Sequence, residues 1–120
     1  MNVLNQKTGK DFVMYHGDCV EVVSGLPSES VHFSIFSPPF SSLYTYSNSD
    51  RDMGNSTDEQ FEVHFKFLIK ELYRVLKSGR LVSFHCMNLP TSKQHHGYIG
   101  IRDFRGELIK WFQDEGFIYH

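Results

Sequence analysis

Val31-His32-Phe33-Ser34-Ile35-Phe36-Ser37-Pro38-Pro39-Phe40 decides how the rest of this 120-residue sequence is read. Its first six residues alternate apolar and polar types and are rich in β-branched and aromatic side chains, the pattern of a buried strand. Two prolines then fix two φ angles and remove two N–H donors. The strand must therefore stop in a turn that offers carbonyls without competing donors. Ser37 places a hydroxyl at the same spot, and Phe40 adds a flat apolar face. Taken alone, Pro-Pro after a strand is a stiff turn; its surroundings decide whether it is more.

Upstream, Phe12-Val13-Met14-Tyr15-His16 reads as a short strand halted at Gly17. Asp18 is a good N-cap, and Glu21 completes a capping-box spacing before Val22, Val23 and Leu26. Pro27-Ser28-Glu29-Ser30 is a turn. Downstream, the polar stretch from Ser41 to Asn55 has almost no periodicity, and a loop of that length inside a domain is usually functional. Ser56 with Glu59 makes a second capping box. Phe61, Phe65, Leu68, Leu72 and Leu76 then recur at helical spacing, which predicts a helix to about Lys77 ended by Ser78-Gly79. Arg80 to His85 is the next strand, and Cys86 to Ile101 reads as loop. Asp103 caps a last helix carrying Phe104, Leu108 and Phe112, stopped at Gly116. Phe117-Ile118-Tyr119-His120 begins another strand.

Strands alternating with helices predict an α/β fold with a mostly parallel sheet and flanking helices, in one domain spanning 1–120. Ligands of such sheets sit at the carboxyl ends of strands. His16-Gly17-Asp18 and Phe36 to Phe40 both fall at such ends, and the expectation is that they are neighbours in space.

Composition narrows the class. Apolar residues make up 40% and charged residues 22%, which is ordinary for a globular protein and excludes a disordered chain. No apolar run approaches the ~18 residues of a membrane span, and no signal peptide is visible, so a cytoplasmic protein is expected. Cys19 and Cys86 form no disulfide framework. The net charge of −2 gives no clear basic surface of the kind that grips nucleic acid unaided.

An amino group on an aromatic base has its lone pair delocalised into the ring and is a poor nucleophile. Two acceptors that take its N–H hydrogens favour the geometry in which the lone pair can attack. A stacked aromatic ring holds such a base out of its duplex. Ser37-Pro38-Pro39-Phe40 supplies this set. With Gly17-Asp18, Leu26-Pro27-Ser28-Glu29-Ser30-Val31 and the run from Leu72 to Gly79-Arg80, the chain from Val13 onward resembles the DNA amino-methyltransferases that modify N4 of cytosine or N6 of adenine. The family's usual Gly-Gly is Gly79-Arg80 here.

That resemblance implies a partial Rossmann-like, S-adenosylmethionine-dependent methyltransferase fold acting on double-stranded DNA by base flipping, bacterial or phage in origin, as in restriction-modification. Ser37, Pro38, Pro39 and Phe40 would be the catalytic residues at the target base. Gly17, Asp18 and Cys19 would bind the cofactor, Asp18 at its adenine end. Ser in the first motif position favours N4-cytosine over N6-adenine. The family also needs a Phe-x-Gly-x-Gly cofactor loop after a strand, and Gly97-Tyr98-Ile99-Gly100 has no strand entering it. The expectation is therefore an incomplete catalytic domain, cut in the strand at Phe117 and inactive alone. A cut sheet leaves an exposed edge and predicts a homo-oligomer.

Other groups carry plainer readings. His85, Cys86, His95 and His96 fit no zinc spacing, so no metal is expected. Tyr44, Tyr46, Arg51 and Asn55 could close over a base or backbone, or simply be solvated. Arg102 and Arg105 read as charges at a helix start. The competing functions are methylation of RNA or of a glutamine amide, and a non-catalytic assembly module.

Overall fold

The chain starts with a hairpin. The computed structural model describes residues 1–39 and 57–120. Strand β1 (Asn5–Thr8) pairs antiparallel with β2 (Val13–His16), Asn5 opposite His16 and Thr8 opposite Val13. The Gly9 N–H donates to the Phe12 carbonyl at 2.9 Å and closes the loop between them. Asn-Gln-Lys-Thr has no apolar alternation, so β1 is a strand only because β2 pairs with it. Asp18 caps α1 (Cys19–Ser24), its carboxylate accepting from the Val20 N–H at 2.9 Å.

β3 (Val31–Phe36) forms as its alternation predicts. The next helix, α2 (Asp58–Val75), is capped by Thr57, not Ser56. Thr57 accepts from the Gln60 N–H at 3.3 Å, and the Gln60 side chain accepts from the Thr57 N–H at 3.1 Å. The sequence offers two overlapping boxes one residue apart, and only one can stand at the helix start.

α2 ends at Val75, short of the predicted Lys77. Leu76 is already extended and buried, and it opens β4 (Leu76–Phe84) by pairing with Val31. The parallel register resumes at Phe33 opposite Leu81 and continues to Phe36 opposite Phe84. Lys77, Ser78, Gly79 and Arg80 bulge out where His32 alone lies between the paired positions of β3. Gly79 has φ +76, a conformation glycine adopts without penalty. Its glycine signal therefore marks a bulge and not a helix end.

The predicted loop from Cys86 to Ile101 contains structure. β5 (Leu89–Pro90) pairs antiparallel with β6 (Ile101–Arg102), and α3 (Lys93–His96) lies between them. α4 (Phe104–Glu115) starts at Asp103 as expected, whose carboxylate accepts from the Gly106 N–H at 3.1 Å. Residues 117–120 are not a strand. Their composition is strand-like, but no ladder partner is hydrogen-bonded to them among the described residues.

The α/β class holds, with one correction. The sheet predicted as mostly parallel is, among the described residues, one parallel pair, β3 with β4, with two separate antiparallel pairs, β1 with β2 and β5 with β6. β2 does not pair with β3, so the two strand ends expected as neighbours belong to different sheets. The core lies where α2 meets α4 and the parallel pair. Phe61 stacks on Phe65 at 5.3 Å and tilts against Phe104 at 5.6 Å and Trp111 at 6.3 Å. Phe84 stacks on Phe112 at 5.0 Å, joining the sheet to α4. Part of the aromatic richness of the sequence is spent on this cluster. No helix among the described residues is long and apolar enough to cross a membrane.

Candidate active site

Ser37, Pro38 and Pro39 leave the carboxyl end of β3, where the register with β4 closes. The His85 N–H donates to the Phe36 carbonyl at 3.0 Å, extending the ladder one step past the strands. The Ser37 hydroxyl donates to the His85 carbonyl at 3.0 Å. Ser37 is exposed while Pro38 is buried behind it. The serine hydrogen is therefore taken by a backbone carbonyl, and the oxygen keeps its lone pairs for an incoming donor. Neither proline has an N–H to compete. Phe40 lies outside the described residues, as do Tyr44, Tyr46, Arg51 and Asn55.

Gly17 and Cys19 are exposed and Asp18 is half-buried, at the turn from β2 into α1. A Cβ on Gly17 would stand 3.4 Å from the Asn2 carbonyl and the Val3 Cα, so the N-terminal segment passes close to this turn. Asp18 does the capping work described above. The structure thus brings Ser37 to His85, on a strand pair separate from the sheet that carries Gly17 and Asp18.

The remaining sequence candidates have structural partners. Arg102 reaches Glu107 at 2.6 Å and Asp58 at 3.2 Å, and its guanidinium lies 5.4 Å from the Phe104 ring centroid. Burial alone would lower its pKa, but Glu107 and Asp58 overcome this and raise it. The His96 Nδ1 accepts from the Ser92 N–H at 3.0 Å, and its Nε2 lies 3.7 Å from Asp58. No group of three His, Cys, Asp or Glu side chains gathers to hold a metal among the described residues. Cys86 is half-buried; burial pushes its thiol up, against a smaller opposing effect of Arg105.

Two features escaped the sequence reading. Arg74 donates to the carbonyls of Leu26 at 2.9 Å, Val23 at 3.2 Å and Ser24 at 3.2 Å, and to the Ser28 hydroxyl at 3.0 Å. It closes the C-terminal end of α1 and fixes the turn leading into β3. An arginine on the last turn of a long helix gives no signal of a partner about 50 positions earlier. The other is an open groove of about 1060 Å³ along β4, bounded by the tail after α4. It reaches His85 and Cys86 but none of Ser37, Pro38 or Pro39, so it is not the site of the tetrapeptide.

No protein-family model matches the chain. Over 69 residues it is 32% identical to the type II methyltransferase M.SfiI of Streptomyces fimbriatus, a stretch covering 57% of this chain and 16% of that protein. The chain is homologous to that enzyme over this stretch. Among solved structures it superposes on a Thermus thermophilus protein assigned as a DNA modification methylase, solved in complex with S-adenosyl-L-methionine. The TM-score is 0.63 at 20% identity, covering 85% of this chain and 40% of that one. The same protein without the ligand gives a TM-score of 0.63 over 39% of its chain. These superpositions establish a shared fold. The chain spans less than half the length of each of these proteins.

Proposed function

We propose that this chain carries the amino-acceptor side of an S-adenosylmethionine-dependent DNA methyltransferase, with N4 of cytosine favoured over N6 of adenine. One observation supports this reading above the others: Ser37 lies at the carboxyl end of a parallel strand with its hydroxyl hydrogen engaged by the His85 carbonyl. A hydroxyl held that way can only accept at its exposed side. An exocyclic amino group that donates one hydrogen to Ser37 and another to a carbonyl of the Pro38-Pro39 turn is drawn toward pyramidal geometry. Its lone pair then points away from the acceptors, ready to attack. As the N–C bond would form, the bond between the methyl and its sulfonium donor would break to leave a neutral thioether, and the cationic nitrogen would release one of these hydrogens as a proton to solvent.

When bound, S-adenosylmethionine supplies an electrophilic methyl on a sulfonium sulfur. The residues present fit one corner of such a ligand. Gly17 is an exposed turn without a Cβ, and the half-buried Asp18 carboxylate suits the amino group of an adenine ring. The glycine-rich element is another matter. Gly97 ends α3 and the Gly100 carbonyl accepts from the Thr91 N–H at 2.9 Å, so both glycines of the only similar stretch shape a surface turn. The acceptor side and one cofactor corner are therefore what this chain contributes.

Two measurements test the reading. Calorimetric titration with S-adenosylmethionine should give little heat for this chain alone and clear binding once it is joined to a polypeptide that supplies a glycine-rich cofactor loop. Asp18→Asn, which keeps the helix cap but removes the charge, should then weaken binding about tenfold or more. In the joined form, labelled methyl should appear in duplex DNA as N4-methylcytosine, and Ser37→Ala should lower kcat by about 10²–10³, as for loss of one transition-state hydrogen-bonding group. Recovery of N6-methyladenine alone would overturn the base preference. Full activity of Ser37→Ala would overturn the assigned role of Ser37.

A further inference from the structure

The groove along β4 is lined by two segments whose main chains lack ladder partners. The His85 N–H reaches the Phe36 carbonyl and the His85 carbonyl takes the Ser37 hydroxyl, so the main chain of His85 faces β3. Strand groups alternate in direction, which turns Ser83 toward β3 as well and directs Val82 and Phe84 to the other edge. β4 pairs with β3 alone, and on that outer edge no N–H or carbonyl of Val82 or Phe84 meets a partner among the described residues. The tail after α4 is the second segment. Phe117 gives its N–H to the Phe112 carbonyl at 3.1 Å, while Ile118, Tyr119 and His120 make no main-chain bond among the described residues. Both segments rest on one ring of α4: Phe112 lies 5.0 Å from Phe84 and 5.2 Å from Phe117.

We propose that the groove is a slot for one extended strand, contributed by the polypeptide that completes the domain, which pairs with β4 on one side and with the tail on the other. The source of the strand rests on the function proposed above; the slot rests on the ladder. Alternating free N–H and carbonyl groups are the recognition surface for an added strand. A phosphate backbone offers acceptors only and would leave the N–H groups matched but the carbonyls bare. The tail supports the same occupant, since Phe117, Ile118 and Tyr119 have strand composition that no local neighbour satisfies. The methylase fold on which 85% of this chain superposes uses only 40% of its own length to do so, and the same architecture there carries further polypeptide. In a second copy of this chain the open edge lies in the same groove beside its own tail, so joining two such edges would require both tails to move.

Amide hydrogen exchange read by NMR tests the slot without cofactor or DNA. In this chain alone, the Ser83 and His85 amides should exchange at least about tenfold more slowly than those of Val82 and Phe84. In the joined protein described above, Val82 and Phe84 should slow by about a hundredfold or more, together with one of the two alternating amides of Ile118 and Tyr119. Of Ile118→Pro and Tyr119→Pro, the variant that removes the protected amide should cut the protection of Val82 and Phe84 about tenfold, and the other should leave it intact. Fast exchange at Val82 and Phe84 in a joined protein that binds S-adenosylmethionine overturns the slot and leaves the proposed function standing. Protection there in a joined protein that binds no cofactor supports the slot and overturns the function instead. Slowing in this chain alone as its concentration is raised, with the mass doubling in sedimentation, gives the groove to a second copy and overturns the source. If the joined protein does not fold, a blocked peptide of alternating valine and threonine must shift the Val82 and Phe84 amide resonances of this chain. N-methylation of its alternate amides must then weaken that binding about tenfold or more. No shift, or equal binding of both peptides, overturns the slot.

Discussion

Arg74 directs both terminal guanidinium nitrogens at oxygens of residues 23–28 while its Nε pairs with Glu71 at 2.7 Å. The Gly25 and Leu26 N–H groups already reach the Val22 and Val23 carbonyls at the end of α1, and the planar fork of donors adds bonds to Val23, Ser24 and Leu26 at once. Arg74→Met keeps the apolar stem and removes the donors. It should destabilise the protein by about 2 kcal/mol, read as a lowered urea midpoint with unchanged slope. Arg74→Lys should recover less than half of the loss, because one ammonium cannot match the fork. Cys86 gives the pH counterpart. Burial disfavours its thiolate, so its pKa in the fold lies above the unfolded value, and the fold keeps the proton longer. Its contribution is fully present below pH 9.0, the ordinary value, and is lost as pH rises through the raised pKa. Cys86→Ser should flatten the decline in denaturation midpoint above that pH, and iodoacetamide at neutral pH should label exposed Cys19 before Cys86.

At the scale of elements, what could be read from the sequence was what local periodicity dictates. β3, α2 and α4 announce themselves because their apolar residues repeat at the spacing of the structure they adopt. Asp18 and Asp103 could be named as caps for the same local reason. β1 could not, since four polar residues become a strand only when β2 lies beside them. β5 and β6 are equally dependent on each other, being two residues each. Phe117 to Tyr119 shows the reverse error, strand composition without a ladder. The tetrapeptide was legible at Ser37, Pro38 and Pro39, but the Ser37 contact with His85 joins residues 48 apart, and no local pattern encodes it. The junction of α2 and β4 is the most instructive miss, because Gly79 carries the signal expected of a helix end yet sits three residues beyond the C-cap. Its φ of +76 makes the site testable. A Cβ there meets nothing within 4 Å, so Gly79→Ala has no steric cost and only the backbone strain of about 1 kcal/mol. A loss of that size in chemical denaturation would confirm the bulge. A neutral or stabilising effect would mean that the helix runs on as the sequence first indicates.

For the whole molecule, stability and exposure sit on opposite sides of one sheet. The radius of gyration is 15.6 Å, against about 13.6 Å for a compact domain of this length. A spread chain buries less than a globule would, so its stability should fall toward the low end of about 0.05–0.15 kcal/mol per residue. Nearly all of it must come from the helix side, where Phe61 is fully buried and touches Phe65, Phe104 and Trp111. Phe61→Ala should cost about 3–5 kcal/mol, most of what such a chain has, and leave it largely unfolded at physiological temperature. Phe33→Ser removes an equally large ring from the exposed side of the parallel pair. It should change stability by no more than a surface substitution does, within about 0.5 kcal/mol. Circular dichroism melts of the two variants against the parent read both losses. Equal losses for the two variants would mean that something within the chain covers the second face. A large loss for Phe61→Ala alone would place most of the folding energy on the helix side of the sheet.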